Sequence, residues 1–122
     1  TKLINQIFVS CSVAMLAEAV GLAERVGLDV EVIPKALEGG RGDSVALQNY
    51  WPRLANKDYT ALSTVTSILK DIDLVQDTAR SVGAALPLTA TAREYYQVVG
   101  NAGYAGEDLT ALARILGHPS DL

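Results

Sequence analysis

Residues 2–26 contain no proline, and no charged side chain stands between Lys2 and Glu18. Within that stretch Ile4, Ile7, Phe8, Cys11, Met15, Ala19, Leu22 and Val26 recur at spacings of three and four, the period of one helix face. The opposite side carries Leu3, Val9, Val13, Leu16 and Val20. At 1.5 Å per residue the segment predicts one helix of roughly 37 Å, with Gly27 as its left-handed stop. A helix apolar all round is buried all round. A chain of 122 residues is too small to wrap such a helix by itself, so another domain or another subunit is expected to cover part of it. Asn5, Gln6, Ser10 and Ser12 interrupt the run below the roughly 20 apolar residues of a bilayer crossing, which argues against a membrane span.

Composition narrows the choice further. With 49% hydrophobic and 20% charged residues the chain has the apolar surface of a packed fold. Ten Lys and Arg against fourteen Asp and Glu give a net charge of −4, which offers no general attraction to phosphate backbones or anionic lipid. One cysteine, Cys11, excludes an internal disulfide framework and a Cys-based zinc cluster, and His118 is the single histidine. No metal site is expected, and a lone thiol fits a reducing, cytoplasmic setting. The first residue is Thr1 and nothing after it reads as a signal peptide, so the chain is expected to begin inside a longer protein.

The rest of the sequence is helical in pattern. Asp29 caps a second predicted helix to about Glu38, with Pro34 an awkward fifth residue that makes the helix start later or bend. A short helix follows from Asp43 or Ser44 through Tyr50, ended by Trp51-Pro52, and residues 53–60 read as a polar connector. A long helix spans about Ala61 to Val82, with Leu62, Val65, Ile68, Leu69, Ile72, Val75 and Ala79 on its stripe and Gly83 as its stop. Pro87 opens another helix running from Leu88 to about Val99, and a last one runs from Asp108 to Leu116. No strand-period stretch and no internal repeat is evident. The expected fold class is all-α, a bundle of about six helices with one long N-terminal helix.

General catalytic motifs are missing: no phosphate-binding glycine fingerprint, Walker lysine loop, nucleophile elbow or paired metal histidines. Gly39-Gly40-Arg41-Gly42-Asp43 is the glycine-rich loop of the chain and reads as a flexible turn between helices. Cys11 and Met15 fall on the first helix's main stripe and are expected in the core. Tyr50 and Trp51 are expected to pack as aromatics, one of Tyr95 and Tyr96 must face the core, and His118 falls in an exposed tail. Two polar groups stand out. Lys2, Asn5 and Gln6 occupy i, i+3 and i+4 of the first helix, which brings an amine and two amides together about 5–6 Å apart. Lys70-Asp71 interrupts the apolar stripe of the long fourth helix.

The segment Lys2-Leu3-Ile4-Asn5-Gln6 resembles the lysine-centred catalytic segment of the β-hydroxyacid dehydrogenases, among them 3-hydroxyisobutyrate, tartronate semialdehyde and threonate dehydrogenase-like enzymes and, more distantly, 6-phosphogluconate dehydrogenase. The similarity continues in order and spacing through Ala17-Glu18-Ala19, Gly27-Leu28-Asp29, Leu47-Gln48-Asn49-Tyr50, Leu69-Lys70-Asp71-Ile72-Asp73-Leu74, Leu86-Pro87-Leu88-Thr89-Ala90 and Gly106-Glu107-Asp108, essentially the whole chain. The resemblance implies the C-terminal domain of a two-domain enzyme, residues 1–122 forming a single helical substrate-binding and dimerisation domain. An N-terminal Rossmann domain, absent from this chain, would bind most of the NAD or NADP. It further implies that Lys2 is the catalytic acid and base, that Asn5 and Gln6 bind the small hydroxy-acid substrate, and that Lys70 meets the cofactor, with Asp71 orienting Lys70 or capping packing. Family members often carry two asparagines after the lysine. Asn5 followed by Gln6 points instead to a polyol acid. A homodimer or higher homo-oligomer is implied, with no nucleic acid or membrane partner. A catalytically silent interaction module of the same fold is the competing reading.

Overall fold

The proline-free opening segment forms α1 (Lys2–Arg25), and the rest of the chain is wound around it. The structure is a computed structural model that describes residues 1–117; His118, assigned above to an exposed tail, lies outside the described residues. After α1 come α2 (Ile33–Leu37), α3 (Val45–Ala55), α4 (Val65–Ser81), α5 (Pro87–Val99) and α6 (Ala113–Leu116). Single turns of 3₁₀ helix at Val30–Val32 and Leu109–Leu112 and a π turn at Gly100–Tyr104 link them. Among the described residues the one β-type pairing is an isolated antiparallel bridge between Thr64 and Asp108. The all-α expectation of about six helices holds.

α1 packs against α3, α4, α5 and α6. Its buried face is Ser10, Val13, Ala14, Leu16, Ala17, Val20, Gly21 and Ala23. The helix is not buried all round within the chain: on the other side Ile4, Phe8, Met15, Leu22 and Val26 are 55–66% exposed. Met15 is therefore not a core residue, and Cys11 is only half-buried. The physical reason is size. Serine, alanine and glycine let neighbouring backbones come close to α1, whereas the bulkier stripe would hold them off. At Gly21 a Cβ would lie 2.1 Å from the carbonyl oxygen of Leu116, so only glycine admits the end of α6. Arg25 then ties the two ends together, its Nη1 donating to Leu116 O at 2.9 Å and its Nη2 to Gly117 O at 2.8 Å. By length and composition α1 could cross a membrane, and 44% of its most apolar window is buried within the fold.

Other boundaries shift for local reasons. Pro34 sits in the first turn of α2, where no amide is required, so the predicted second helix divides into a 3₁₀ turn capped by Asp29 and a short α-helix. α3 does not stop at Trp51-Pro52 but carries Pro52 inside it to Ala55. Trp51 is buried and its Nε1 donates to Val30 O at 2.7 Å, which holds the helix in place across the proline. α4 starts at Val65, three to four residues later than expected, because Thr64 caps it by accepting from Ser67 N. Leu62, placed on the α4 stripe by periodicity, precedes the helix and is 82% exposed. Of the remaining stripe Val65, Ile68, Ile72, Val75 and Ala79 are buried as expected, and Leu69 is half-buried.

The free amides at the start of α4 are met by the chain returning from α5. Gly103 adopts a φ of +104°, turning the backbone so that Ala105 O accepts from Thr66 N at 3.0 Å and Glu107 O from Val65 N at 2.9 Å. Asp108 follows, 1% exposed. Its carboxylate accepts from the backbone amides of Leu62, Ser63 and Thr110 at 2.9, 3.0 and 3.0 Å and pairs with Arg53 Nη1 at 3.1 Å. Burial pushes this carboxyl up, but the amides pull it further down, to a net position below the ordinary range.

Candidate active site

The buried seam of α1 does not end where its apolar residues end. Val20, Ala17, Val13 and Ser10 continue at the same spacing through Gln6 to Lys2, so the seam opens onto a lysine at the start of the helix. Gln6 is half-buried there, while Lys2 and Asn5 are exposed. Gln6 Nε2 donates to Asp71 Oδ2 at 2.6 Å, joining the first turns of α1 to the middle of α4. Asn5 Nδ2 donates in turn to Gln6 Oε1 at 3.2 Å. Beneath them Ser10 Oγ donates to Gln6 O at 2.7 Å, and Tyr96 OH donates to Ser10 O at 2.7 Å. Burial drives the Tyr96 phenol well above its ordinary range, so it is a fixed donor.

Lys2, Asn5 and Gln6 thus share one helix end as their spacing predicts, and Lys70 precedes Asp71, the partner of Gln6, in the chain. Lys2 and Lys70 are exposed and have no ion-pair or hydrogen-bond partner among the described residues. The bond that Asp71 makes is to Gln6. Asp71 follows the buried Ile68 by three residues and precedes the buried Val75 by four, which turns it toward α1 and Gln6. Sequence spacing held that signal, but its partner sits 65 residues away.

Other singled-out residues fall elsewhere. The glycine loop is a turn between helices in which Asp43 accepts from Gln48 Nε2 at 2.9 Å and from Gly39 N and Ser44 N at 2.8 Å each, and these bonds hold its carboxyl below the usual range. Tyr50 is half-buried and lines a polar recess of about 420 Å³ with Gln48, Asn49, Arg53 and Leu62. Tyr96 faces the core, and Tyr95 donates to the Glu18 carboxylate across α1 and α5. Between those two helices an apolar groove of about 430 Å³ runs past Phe8, Cys11, Met15 and Leu88. Among the described residues no group of three His, Cys, Asp or Glu side chains is placed to hold a metal ion. No strand leading into a glycine turn is formed among the described residues either.

The site thus consists of a long helix opening on a lysine and an amide pair, packed in an all-helical bundle. The chain belongs to the β-hydroxyacid dehydrogenase family: residues 1–116 match the family model described as the NAD-binding domain of NADP-dependent 3-hydroxyisobutyrate dehydrogenase. It is 36% identical over 114 residues to L-threonate dehydrogenase of Cupriavidus necator, a match covering 93% of this chain and 38% of that protein. The crystal structure of 3-hydroxyisobutyrate dehydrogenase from Salmonella typhimurium superposes with a TM-score of 0.86 at 35% identity, over 93% of this chain and 40% of that one. The 3-hydroxyisobutyrate dehydrogenase of Mycobacterium tuberculosis, solved with L-serine, gives 0.82 at 26% identity, over 94% and 42%. The chain thus spans about two fifths of the length of these relatives.

Proposed function

We propose that this chain is the C-terminal helical domain of a cytoplasmic NAD(P)-dependent oxidoreductase that interconverts a small β-hydroxy acid and its aldehyde or keto form. The observation that carries this reading is the unpaired Lys2 at the open end of the α1 seam, flanked by Asn5 and Gln6 and by the α4 segment bearing Lys70. Hydride transfer is the chemistry a nicotinamide dinucleotide supplies when bound. The accompanying proton must leave the substrate hydroxyl or return to the carbonyl oxygen, and the Lys2 amine takes and gives it. Asn5 and Gln6 orient the substrate without adding charge. Lys70 meets the cofactor end of the cleft. The pairing of Asn5 with Gln6, together with similarity to L-threonate dehydrogenases, favours a polyhydroxy acid. In the enzyme that joins this chain to a nucleotide-binding domain, L-threonate is expected to be turned over with NAD or NADP, and the 122-residue chain alone is expected to give none. Turnover by the chain alone, or none by the joined enzyme with any hydroxy acid, overturns the reading.

The same domain supplies a subunit interface. Ile4, Phe8, Met15, Leu22 and Val26 line one exposed face of α1, and each is worth roughly 1.5–3 kcal/mol when fully buried. A two-fold pairing of these faces is the economical way to cover them. Sedimentation equilibrium at micromolar concentration is expected to give a dimer, and Met15→Glu a monomer. A wild-type chain running at 12.9 kDa removes the interface from the proposal.

A further inference from the structure

We infer that Asp71 is a positioning residue which, through Gln6, fixes the direction of the amide pair beside Lys2 and leaves Asn5 presenting an oxygen acceptor suited to a substrate hydroxyl. The inference deepens the function proposed above and rests on it. An ionised carboxylate only accepts hydrogen bonds. The Gln6 atom at 2.6 Å from Asp71 Oδ2 must therefore be the amide nitrogen. That turns Gln6 Oε1 away from α4 to accept from Asn5 Nδ2 at 3.2 Å. Asn5 is then held by its nitrogen, and its Oδ1 has no partner among the described residues. Three side chains in series leave Asn5 Oδ1 as an acceptor without a partner among the described residues, one helical turn along α1 from Lys2.

The root of this series is rigid. Gln6 is anchored at its backbone by Ser10 Oγ, and Ser10 by the fully buried Tyr96. A positioned group needs such support to keep one orientation. Without a carboxylate at position 71 both orientations of the Gln6 amide become available, and Asn5 loses its fixed polarity. A substrate carboxylate cannot donate to Asn5 Oδ1, whereas an additional hydroxyl can. The substrate class favoured is hydroxy acids with a further hydroxyl beside the reacting one.

Asp71→Asn keeps the size of the side chain and removes its acceptor-only character; Asp71→Glu keeps the carboxylate. In ¹⁵N-labelled protein the Gln6 side-chain amide proton bonded to Asp71 is expected to be shifted downfield and slow to exchange, a signature lost in Asp71→Asn and retained in Asp71→Glu. In the enzyme joined to its nucleotide-binding domain, Asp71→Asn is expected to raise KM for L-threonate about tenfold, the effect of one lost hydrogen bond, with kcat and the KM for 3-hydroxyisobutyrate changed less than about threefold. Identical Gln6 signals in the two variants, or equal KM changes for the two acids, overturn the inference. If Lys2→Ala keeps full turnover, the functional reading fails instead. If Lys2→Ala is inactive while Asp71→Asn moves neither readout, the inference alone fails.

Discussion

Asp108→Ala is expected to destabilise the chain by about 3–5 kcal/mol, the range for breaking a buried charge pair and a large part of the roughly 5–15 kcal/mol that holds a domain folded. The carboxylate is 1% exposed and serves three elements at once. It terminates the loop before α4 through the amides of Leu62 and Ser63, starts the 3₁₀ turn through Thr110 N, and holds Arg53 of α3. Alanine leaves three amides without that acceptor, and the Thr110 amide, whose bond is buried, costs about 1–3 kcal/mol when unpaired. Arg53 is less affected, since it keeps the Thr60 carbonyl at 2.5 Å and Asp58 at 3.5 Å. Asp108→Asn retains one acceptor oxygen and is expected to lose about half as much. The pH dependence has a fixed sign. The carboxyl lies below its ordinary value in the folded chain, so its stabilisation is complete above about pH 5 and is lost as the pH falls through the folded pKa. Urea unfolding followed by far-UV circular dichroism at neutral and acid pH checks both points: the wild-type midpoint falls on acidification, and Asp108→Asn lacks that part of the fall. Equal stability of wild type and Asp108→Ala would show the junction to be dispensable.

Asp108 also marks the limit of what the sequence discloses. Periodicity finds the α4 stripe because Val65, Ile68, Ile72, Val75 and Ala79 bury their own bulk against α1 and α5, so hydrophobicity and position agree. It does not tell apart the two apolar faces of α1, because the side packed within the chain is the smaller one, selected by how near other backbones approach. Helix limits at Thr64 and Pro34 depend on a cap and a first turn, both local, and lie within a turn of where the sequence puts them. Pro52 within α3 is different: its tolerance depends on Trp51 bonding to Val30, a contact between segments. The candidate site divides in the same way. Lys2, Asn5 and Gln6 are legible from spacing on one helix, whereas the Gln6–Asp71 bond and the role of Asp108 are long-range pairings that no local pattern encodes.

Lys2→Ala is expected to lower kcat of the joined enzyme by roughly 10²–10⁴, about 2.7–5.4 kcal/mol in the barrier, while the fold is left intact. The two halves of that statement rest on separate observations. Lys2 is exposed at the first position of α1 and no described residue pairs with it, so its removal strands no buried group and should shift stability by no more than about 0.5 kcal/mol. The chemistry is more demanding. A hydride does not readily leave a carbon bearing a neutral hydroxyl without a base to take the proton, and the amides of Asn5 and Gln6, which share the helix end with Lys2, do not titrate. Charge and proton transfer can be separated with Lys2→Arg. Arginine keeps the positive charge that draws a carboxylate substrate but holds its proton too tightly to exchange it. If Lys2 acts by charge alone, arginine restores most of the rate; if it moves the proton, Lys2→Arg binds substrate with a near-normal KM and remains as slow as Lys2→Ala. Steady-state kinetics of both variants, with circular dichroism to confirm folding, decide the matter, and a well-folded Lys2→Ala enzyme with near wild-type kcat removes Lys2 from the catalytic role.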